Sequence, residues 1–235
     1  MRYLDPPSLI RSMKESRSLL HDESHGKDPR SLWLDRLSIH EELLGKRKPA
    51  PETAIGEIRF GFSDSPFGLC RIEVGPKGIL SLDFLDSPAA AEKKAARALM
   101  LRRWPGVSCL EDQSLAESLI KDVFARDSKA PLLLHLKGSA FRLRIWRSLL
   151  TVPESCLVSY AWLAAEAGFP GASRAAGSAL ASNSIGYLIP CHRALRADGR
   201  LGGFKWGLER KKAMIAYEAA LGDYNFSKEE GFRDR

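Results

Sequence analysis

Cys191 stands in the run Pro190-Cys191-His192-Arg193, with Arg196 close behind. A cysteine attacks as its thiolate, and a nearby imidazole or guanidinium favours that form. Most cysteines are instead small buried apolar side chains, so the neighbourhood is what sets this one apart. Adjacent side chains of an extended strand point to opposite sides, so His192 reaches the thiol only through a bent backbone or a bridging water. Downstream, Arg196-Ala197-Asp198-Gly199-Arg200-Leu201-Gly202-Gly203-Phe204 reads as a flexible loop presenting one aromatic ring, able to close over a flat ligand. The amphipathic helix predicted over 208–221 places Glu218 one turn beyond Ile215 on the same side. A carboxylate there has either a buried polar partner or, near a frayed helix end, solvent.

The elements that must position these residues are helical. Ser139 is a plausible N-cap for a helix with Phe141, Ile145 and Leu149 on one face, stopped by Pro153. Ser159 can cap a short helix over 160–167 that Gly168 ends, and Ser173 a third over 174–182. This pair is a helix-turn-helix pattern whose second helix is basic at its start and otherwise smooth. Its Ala175, Ala176, Gly177 and Ala179 allow close approach to another surface or close packing inside the protein, and spacing alone favours the latter. Upstream, Ile58, Phe60 and Phe62 alternate, and further strands over 69–74 and 79–84 flank a Gly75-Pro76-Lys77-Gly78 turn, which predicts a small antiparallel sheet. Helices follow over 88–103 and 114–125. The expected organisation is an extension over 1–55 ending in the linker-like run Lys46-Arg47-Lys48-Pro49-Ala50-Pro51, an α/β domain over 56–136, a helical domain over 137–222 and a tail over 223–235.

At 235 residues, 44% hydrophobic and 28% charged, the chain is an ordinary globular sequence without an apolar run long enough to cross a bilayer. Residues 1–10 carry charges and two prolines where a signal peptide would be apolar, so a cytoplasmic location is expected. The four cysteines, at 70, 109, 156 and 191, are too scattered for a CxxC zinc site and too few for a secreted disulfide framework. Reduced thiols, no metal and no cofactor are expected. Net charge is +7, and from Gly171 to Lys212 eight basic residues (Arg174, Arg193, Arg196, Arg200, Lys205, Arg210, Lys211, Lys212) face two acidic ones, which gives that segment +6. Such a run is either a solvated face or the footprint of a polyanion.

The run Ile189-Pro190-Cys191-His192-Arg193, together with Gly202-Gly203-Phe204-Lys205-Trp206-Gly207-Leu208, resembles the O6-alkylguanine-DNA alkyltransferases. The resemblance extends back through Phe141 to Trp146, Ser159 to Ala164, Ser173-Arg174-Ala175 and Asn183, forward to Glu218, and to Ser65-Pro66-Phe67-Gly68 in the first domain. It implies an α+β protein: a small ribonuclease-H-like α/β N-terminal domain, then a helical, winged-helix-like C-terminal domain with a helix-turn-helix. It also implies irreversible, single-turnover transfer of an alkyl group, methyl above all, from O6-alkylguanine or O4-alkylthymine in double-stranded DNA to Cys191, by a monomer. On this reading His192 activates Cys191 through water and Glu218 orients His192. Asn183 is the hinge residue that ties the helix-turn-helix to the cysteine loop. Arg174 fills the space of the flipped base and Tyr160 crowds the phosphate. Ser173, Ala175, Gly177 and Arg142 join the DNA-binding set, with the small-residue helix in the minor groove, which reverses the packing preference read from spacing. Phe204 stacks on the base, Lys205 assists at the leaving purine, and backbone around Pro190, Cys191 and Ala194 reads the base edge.

This chain departs from the family pattern in three places. Phe204 stands where many members have tyrosine, which keeps the stacking and loses a hydroxyl. Ser155 stands at a turn position usually held by glycine; if that turn needs φ > 0, serine lowers stability. Over 1–55, Leu32-Trp33-Leu34-Asp35-Arg36-Leu37 and His40-Glu41-Glu42 resemble the end of the AraC-type DNA-binding domain of the adaptive-response regulators, whose four-cysteine zinc domain has no counterpart, so phosphotriester repair is not expected. Three other functions remain: a lesion-binding protein, which Cys191 argues against; an alkylation-responsive regulator, which needs a complete helix-turn-helix before Glu57; and a multiple-turnover cysteine hydrolase, which stoichiometry would separate.

Overall fold

In the computed structural model, which describes residues 36–43, 56–125 and 128–229, the chain forms two units. One comprises Asp35–Leu143 with Asn183–Ile189; within the other fall Arg144–Ser182 and the chain from Pro190 onward.

The first unit is a six-stranded mixed sheet with two helices. The Ile58, Phe60, Phe62 alternation becomes β2 (Ile58–Ser65), which turns through Pro66 and Phe67 into β3 (Gly68–Gly75) and then β4 (Gly78–Phe84). These three strands are antiparallel, as the sequence predicts. The sheet does not stop there. Two strands the sequence did not disclose, β5 (Cys109–Glu111) beside β2 and β6 (Leu132–Gly138) beside β4, pair in parallel. β1 (Leu37–Leu43) lies parallel to β6 over its whole length, giving the order β1-β6-β4-β3-β2-β5. The sheet therefore draws a strand from within 1–55, and neither the boundary at 55 nor that at 136 matches the unit that forms. Arg36 fixes the start of β1, donating to the carbonyls of Ala130 (2.9 Å) and Asp122 (2.7 Å). Most of the AraC-like phrase over 32–37 lies outside the described residues.

Helices α1 (Ala90–Arg103) and α2 (Gln113–Phe124) complete the unit. Asp112 caps α2 by accepting from the Leu115 N–H at 3.0 Å, a cap not read from the sequence. Ile58, Phe60, Phe62, Leu69, Leu80, Leu85, Met100 and Trp104 form a buried apolar cluster. Each such side chain contributes about 2 kcal/mol of hydrophobic stabilisation.

In the second unit, α3 (Ala140–Leu150), which begins in the sheet unit, is followed by α4 (Tyr160–Glu166) and α5 (Ser173–Ala181). Ser139 and Ser159 act at helix starts as expected, accepting from the N–H groups of Arg142 (3.4 Å) and Trp162 (3.0 Å). Ser173 does not: Ala172 holds the cap position without a side-chain bond, and Ser173 is already the first helical residue. Between the helices Gly168 and Gly171 take φ of +84° and +85°, values that glycine adopts without strain, and they make the tight turn. A short parallel pair, β7 (Val158–Ser159) and β8 (Ala194–Leu195), and the long α6 (Leu208–Glu229) complete the unit. α6 continues through most of the stretch expected as a tail. Among the described residues no helix is long and apolar enough to cross a membrane.

Candidate active site

The backbone at the cysteine is bent rather than extended: Cys191–Arg193 is a single 3-10 turn, closed by the Arg193 N–H donating to the Pro190 carbonyl at 2.9 Å. Cys191 is 5% exposed and borders an open cleft of about 740 Å³, whose walls include Tyr160, Ser173, Arg174, Gly177, Phe204 and Lys205. Arg196 and Gly202 also line it. The helix-turn-helix thus forms one wall and the glycine-rich loop another, and the thiol lies where they meet.

Beneath the cleft is a buried charge network. His192 and Glu218 are 0% and 1% exposed, and His192 Nε2 lies 2.7 Å from Glu218 Oε1. Burial alone would push the Glu218 carboxyl up, but the adjacent Arg193 and His192 outweigh it and hold the group well below its ordinary value. An ionised carboxylate only accepts hydrogen bonds, so Nε2 carries the proton and Nδ1 carries the lone pair. Burial pushes the His192 pKa down despite the opposing pull of Glu218, which keeps the ring neutral and able to act as a base. Glu218 therefore has buried partners and sits in the interior of α6.

Arg193 is the residue that sequence reasoning missed. It is 1% exposed, donates to Glu218 Oε1 through Nη2 (2.9 Å) and to Oε2 through Nε (3.0 Å), and reaches the Val152 carbonyl through Nη1 (2.5 Å). Lys211, another of the eight basic residues of the segment, is likewise buried at 0% exposed, its Nζ donating to the carbonyls of Ala194 (2.7 Å) and Leu201 (2.5 Å). Burial lowers its pKa to about 8, against the opposing influence of Cys191. The spacing of Lys211, Ile215 and Glu218, one inner face of α6, is the pattern that could have revealed it. The +6 of this segment is therefore not all available at the surface. Arg200 pairs with Asp198, and Lys212 with Glu209 at 2.6 Å. Arg174, Arg196 and Lys205 are the exposed cations that line the cleft.

Tyr160 is half-buried; its hydroxyl lies where a Cβ on Gly202 would come within 2.8 Å, and burial pushes its pKa up. Phe204 packs edge-to-face on Trp206, with centroids 5.4 Å apart, and Lys205 Nζ lies 4.8 Å from the centroid of the Trp206 ring. Pro190 and Ala194 are buried and do not line the cleft; Ala175 is exposed beside it. Arg142 is exposed but belongs to the sheet unit. So does Asn183, fully buried, whose side chain accepts from the Ile185 N–H (2.8 Å) and donates to the Ile189 carbonyl (3.1 Å), two residues before Cys191.

Residues 140–220 match the family model described as 6-O-methylguanine DNA methyltransferase, DNA binding domain. The bifunctional transcriptional activator/DNA repair enzyme Ada of Escherichia coli is 31% identical over 166 residues, 69% of this chain and 46% of that protein. The methylated-DNA--protein-cysteine methyltransferase of Mycolicibacterium paratuberculosis is 45% identical over 85 residues, 36% of this chain and 52% of that protein. The chain thus spans about half the length of the curated relatives it matches. Among solved structures, Mycobacterium tuberculosis OGT in complex with DNA aligns with a TM-score of 0.52 at 26% identity, covering 69% of this chain and 93% of that one.

Proposed function

We propose, from the premise that this chain belongs to the O6-alkylguanine-DNA alkyltransferase family, that it repairs double-stranded DNA by moving an alkyl group from guanine O6 onto Cys191. The observation that carries the reading is the buried His192–Glu218 pair at 2.7 Å directly beside a cysteine that opens onto a cation-lined cleft. Glu218 fixes the His192 tautomer, and Nδ1 receives the Cys191 proton through a water. The thiolate attacks the alkyl carbon in line: the S–C bond forms, the C–O6 bond breaks, and the purine leaves with the electron pair and is then protonated. The thioether is stable, so each molecule acts once.

Because the O6 substituent lies inside the base stack, the nucleotide must rotate out of the duplex before the thiol can reach it. α5 in the minor groove, with Arg174 in the vacated stack and Tyr160 against the phosphate, performs that rotation. Phe204 stacks on the extruded base and Lys205 helps the purine depart. The antiparallel β2-β3-β4 with parallel β5 supports a ribonuclease-H-like reading of the sheet unit, and the helix-turn-helix beside β7 and β8 a winged-helix-like reading of the other. Cys70, Cys109, Cys156 and Cys191 are free thiols, and a cytoplasmic monomer remains the expectation read from the sequence.

The test is intact mass after incubation with a duplex carrying one O6-methylguanine. Wild type gains a single methyl group, mapped to the Cys191 peptide, and Cys191→Ala gains none. Selective binding of the lesion without added mass would leave a recognition protein and defeat the transfer assignment.

A further inference from the structure

The turn between α3 and β7 grips the glutamate of the buried network at two points. Ser155 has φ of +63°, in the left-handed region, where a serine is disfavoured by about 1 kcal/mol. The conformation is held by its contacts. The Ser155 N–H donates to Glu218 Oε2 at 3.3 Å, and the Ser155 hydroxyl donates to the Glu218 backbone carbonyl at 2.6 Å. One residue thus ties the side chain and the main chain of Glu218 to the same turn, which also holds Arg193 through the Val152 carbonyl.

The carboxylate has two competing claims on it. Oε1 serves His192 but also receives Arg193 Nη2, while Oε2 receives Arg193 Nε at 3.0 Å. A guanidinium favours a coplanar two-point pairing with a carboxylate. If Arg193 alone held Oε2, the carboxylate would settle into the guanidinium plane and Oε1 would drift from His192. The Ser155 N–H supplies the opposing hold on Oε2, and the hydroxyl fixes the backbone from which that carboxylate extends.

We propose that Ser155 is a positioning residue for the transfer reaction, holding the Glu218 carboxylate in the plane that serves His192 and so setting the tautomer and orientation of the imidazole beside Cys191. The proposal rests on the alkyl-transfer reading of Cys191. The hydroxyl matters beyond offsetting the left-handed backbone, and two substitutions separate these roles. Ser155→Ala removes the hydroxyl and keeps the strain. Ser155→Gly removes the hydroxyl and relieves the strain.

The experiment uses the full chain and two readouts: the single-turnover rate of methyl transfer from an O6-methylguanine duplex as a function of pH, and the ring ¹⁵N resonances of His192. Both variants are expected to slow transfer by roughly three- to tenfold, the worth of about one net hydrogen bond. Both shift the pH–rate profile and the His192 resonances in the same direction, while the melting temperature falls for alanine and not for glycine. Wild-type profiles and resonances in both variants, with only the melting temperature changed, would overturn the proposal and leave Ser155 a structural element of the turn. Should wild type transfer no methyl group, the alkyl-transfer reading fails on its own, and the proposal, which depends on it, falls with it. Transfer by wild type with unmoved resonances sinks only the role of Ser155.

Discussion

At the scale of single residues, acid should act on two members of the buried network. Glu218 is held below its ordinary 4.5, so the stability it contributes is present above that value and is lost as pH falls beneath it. His192 stays neutral when folded, so below its ordinary 6.5 the unfolded chain takes up a proton the native state refuses. Urea midpoints should therefore decline from about pH 6 and steepen below about pH 4. Glu218→Gln should flatten the lower limb and, by leaving Arg193 buried without its counter-charge, lower stability at neutral pH by about 3 kcal/mol. Lys211 adds a slope of the same sign at higher pH: its value of about 8 in place of 10.5 means the unfolded chain holds the extra proton across that interval. Stability should rise with pH there, and Lys211→Met should abolish the rise in the same melts. Cys191 and His192 were legible because a thiol flanked by imidazole and guanidinium groups is a recognisable pattern, whereas the spacing of Glu218 left burial and solvent equally open and its place beside His192 came from the family resemblance. Arg193 and Lys211 were not, because long cationic side chains read as solvated until the fold shows where their ends lie.

At the scale of elements, α2 approaches β2 closely because Gly61 has no side chain. A Cβ there would lie 2.6 Å from the Ala116 Cβ and 2.8 Å from the Asp112 carbonyl oxygen. Gly61→Ala should lower the melting temperature of the whole protein through about 1–3 kcal/mol of overpacking, while the cleft residues stay unchanged in sequence. A wild-type thermal melt would show that the helix can retreat. The helices other than α6, which runs on to Glu229, and the antiparallel strands were read nearly to their ends, since periodicity and glycine turns are local. β1 was not read: Ser38, His40, Glu41 and Glu42 interrupt its apolar pattern, and its stability comes from backbone bonds to β6, 95 residues further along the chain, with Leu37 opposite Leu132. Likewise the cap falls on Ala172 and Ser173 is already helical, a shift of one residue that side-chain type alone does not signal.

At the scale of the molecule, the cations available to a polyanion number fewer than the sequence count of eight, because Arg193 and Lys211 are buried and Arg200 and Lys212 are paired. Binding to undamaged duplex should weaken with salt, little affected by sequence, and Arg174→Ala, Arg196→Ala and Lys205→Ala should each reduce the logarithmic salt slope by about 1. Fluorescence anisotropy at several salt concentrations measures this; a slope unmoved by all three would remove the cleft rim from the interface. The division of the chain carries a further consequence. The stretch over 183–189, which leads into Pro190 and Cys191, is fastened to β4, where the Leu82 N–H donates to the Ser184 carbonyl and the Gly186 N–H to the Leu82 carbonyl, each at 2.8 Å. A gene fragment beginning at 137 would encode Cys191, His192 and Glu218 yet lose the strand that anchors the stretch leading into them. For recombination, the molecule is therefore one heritable cassette: two units that share a reading frame so closely that neither can be exchanged for a homologue without carrying part of the other.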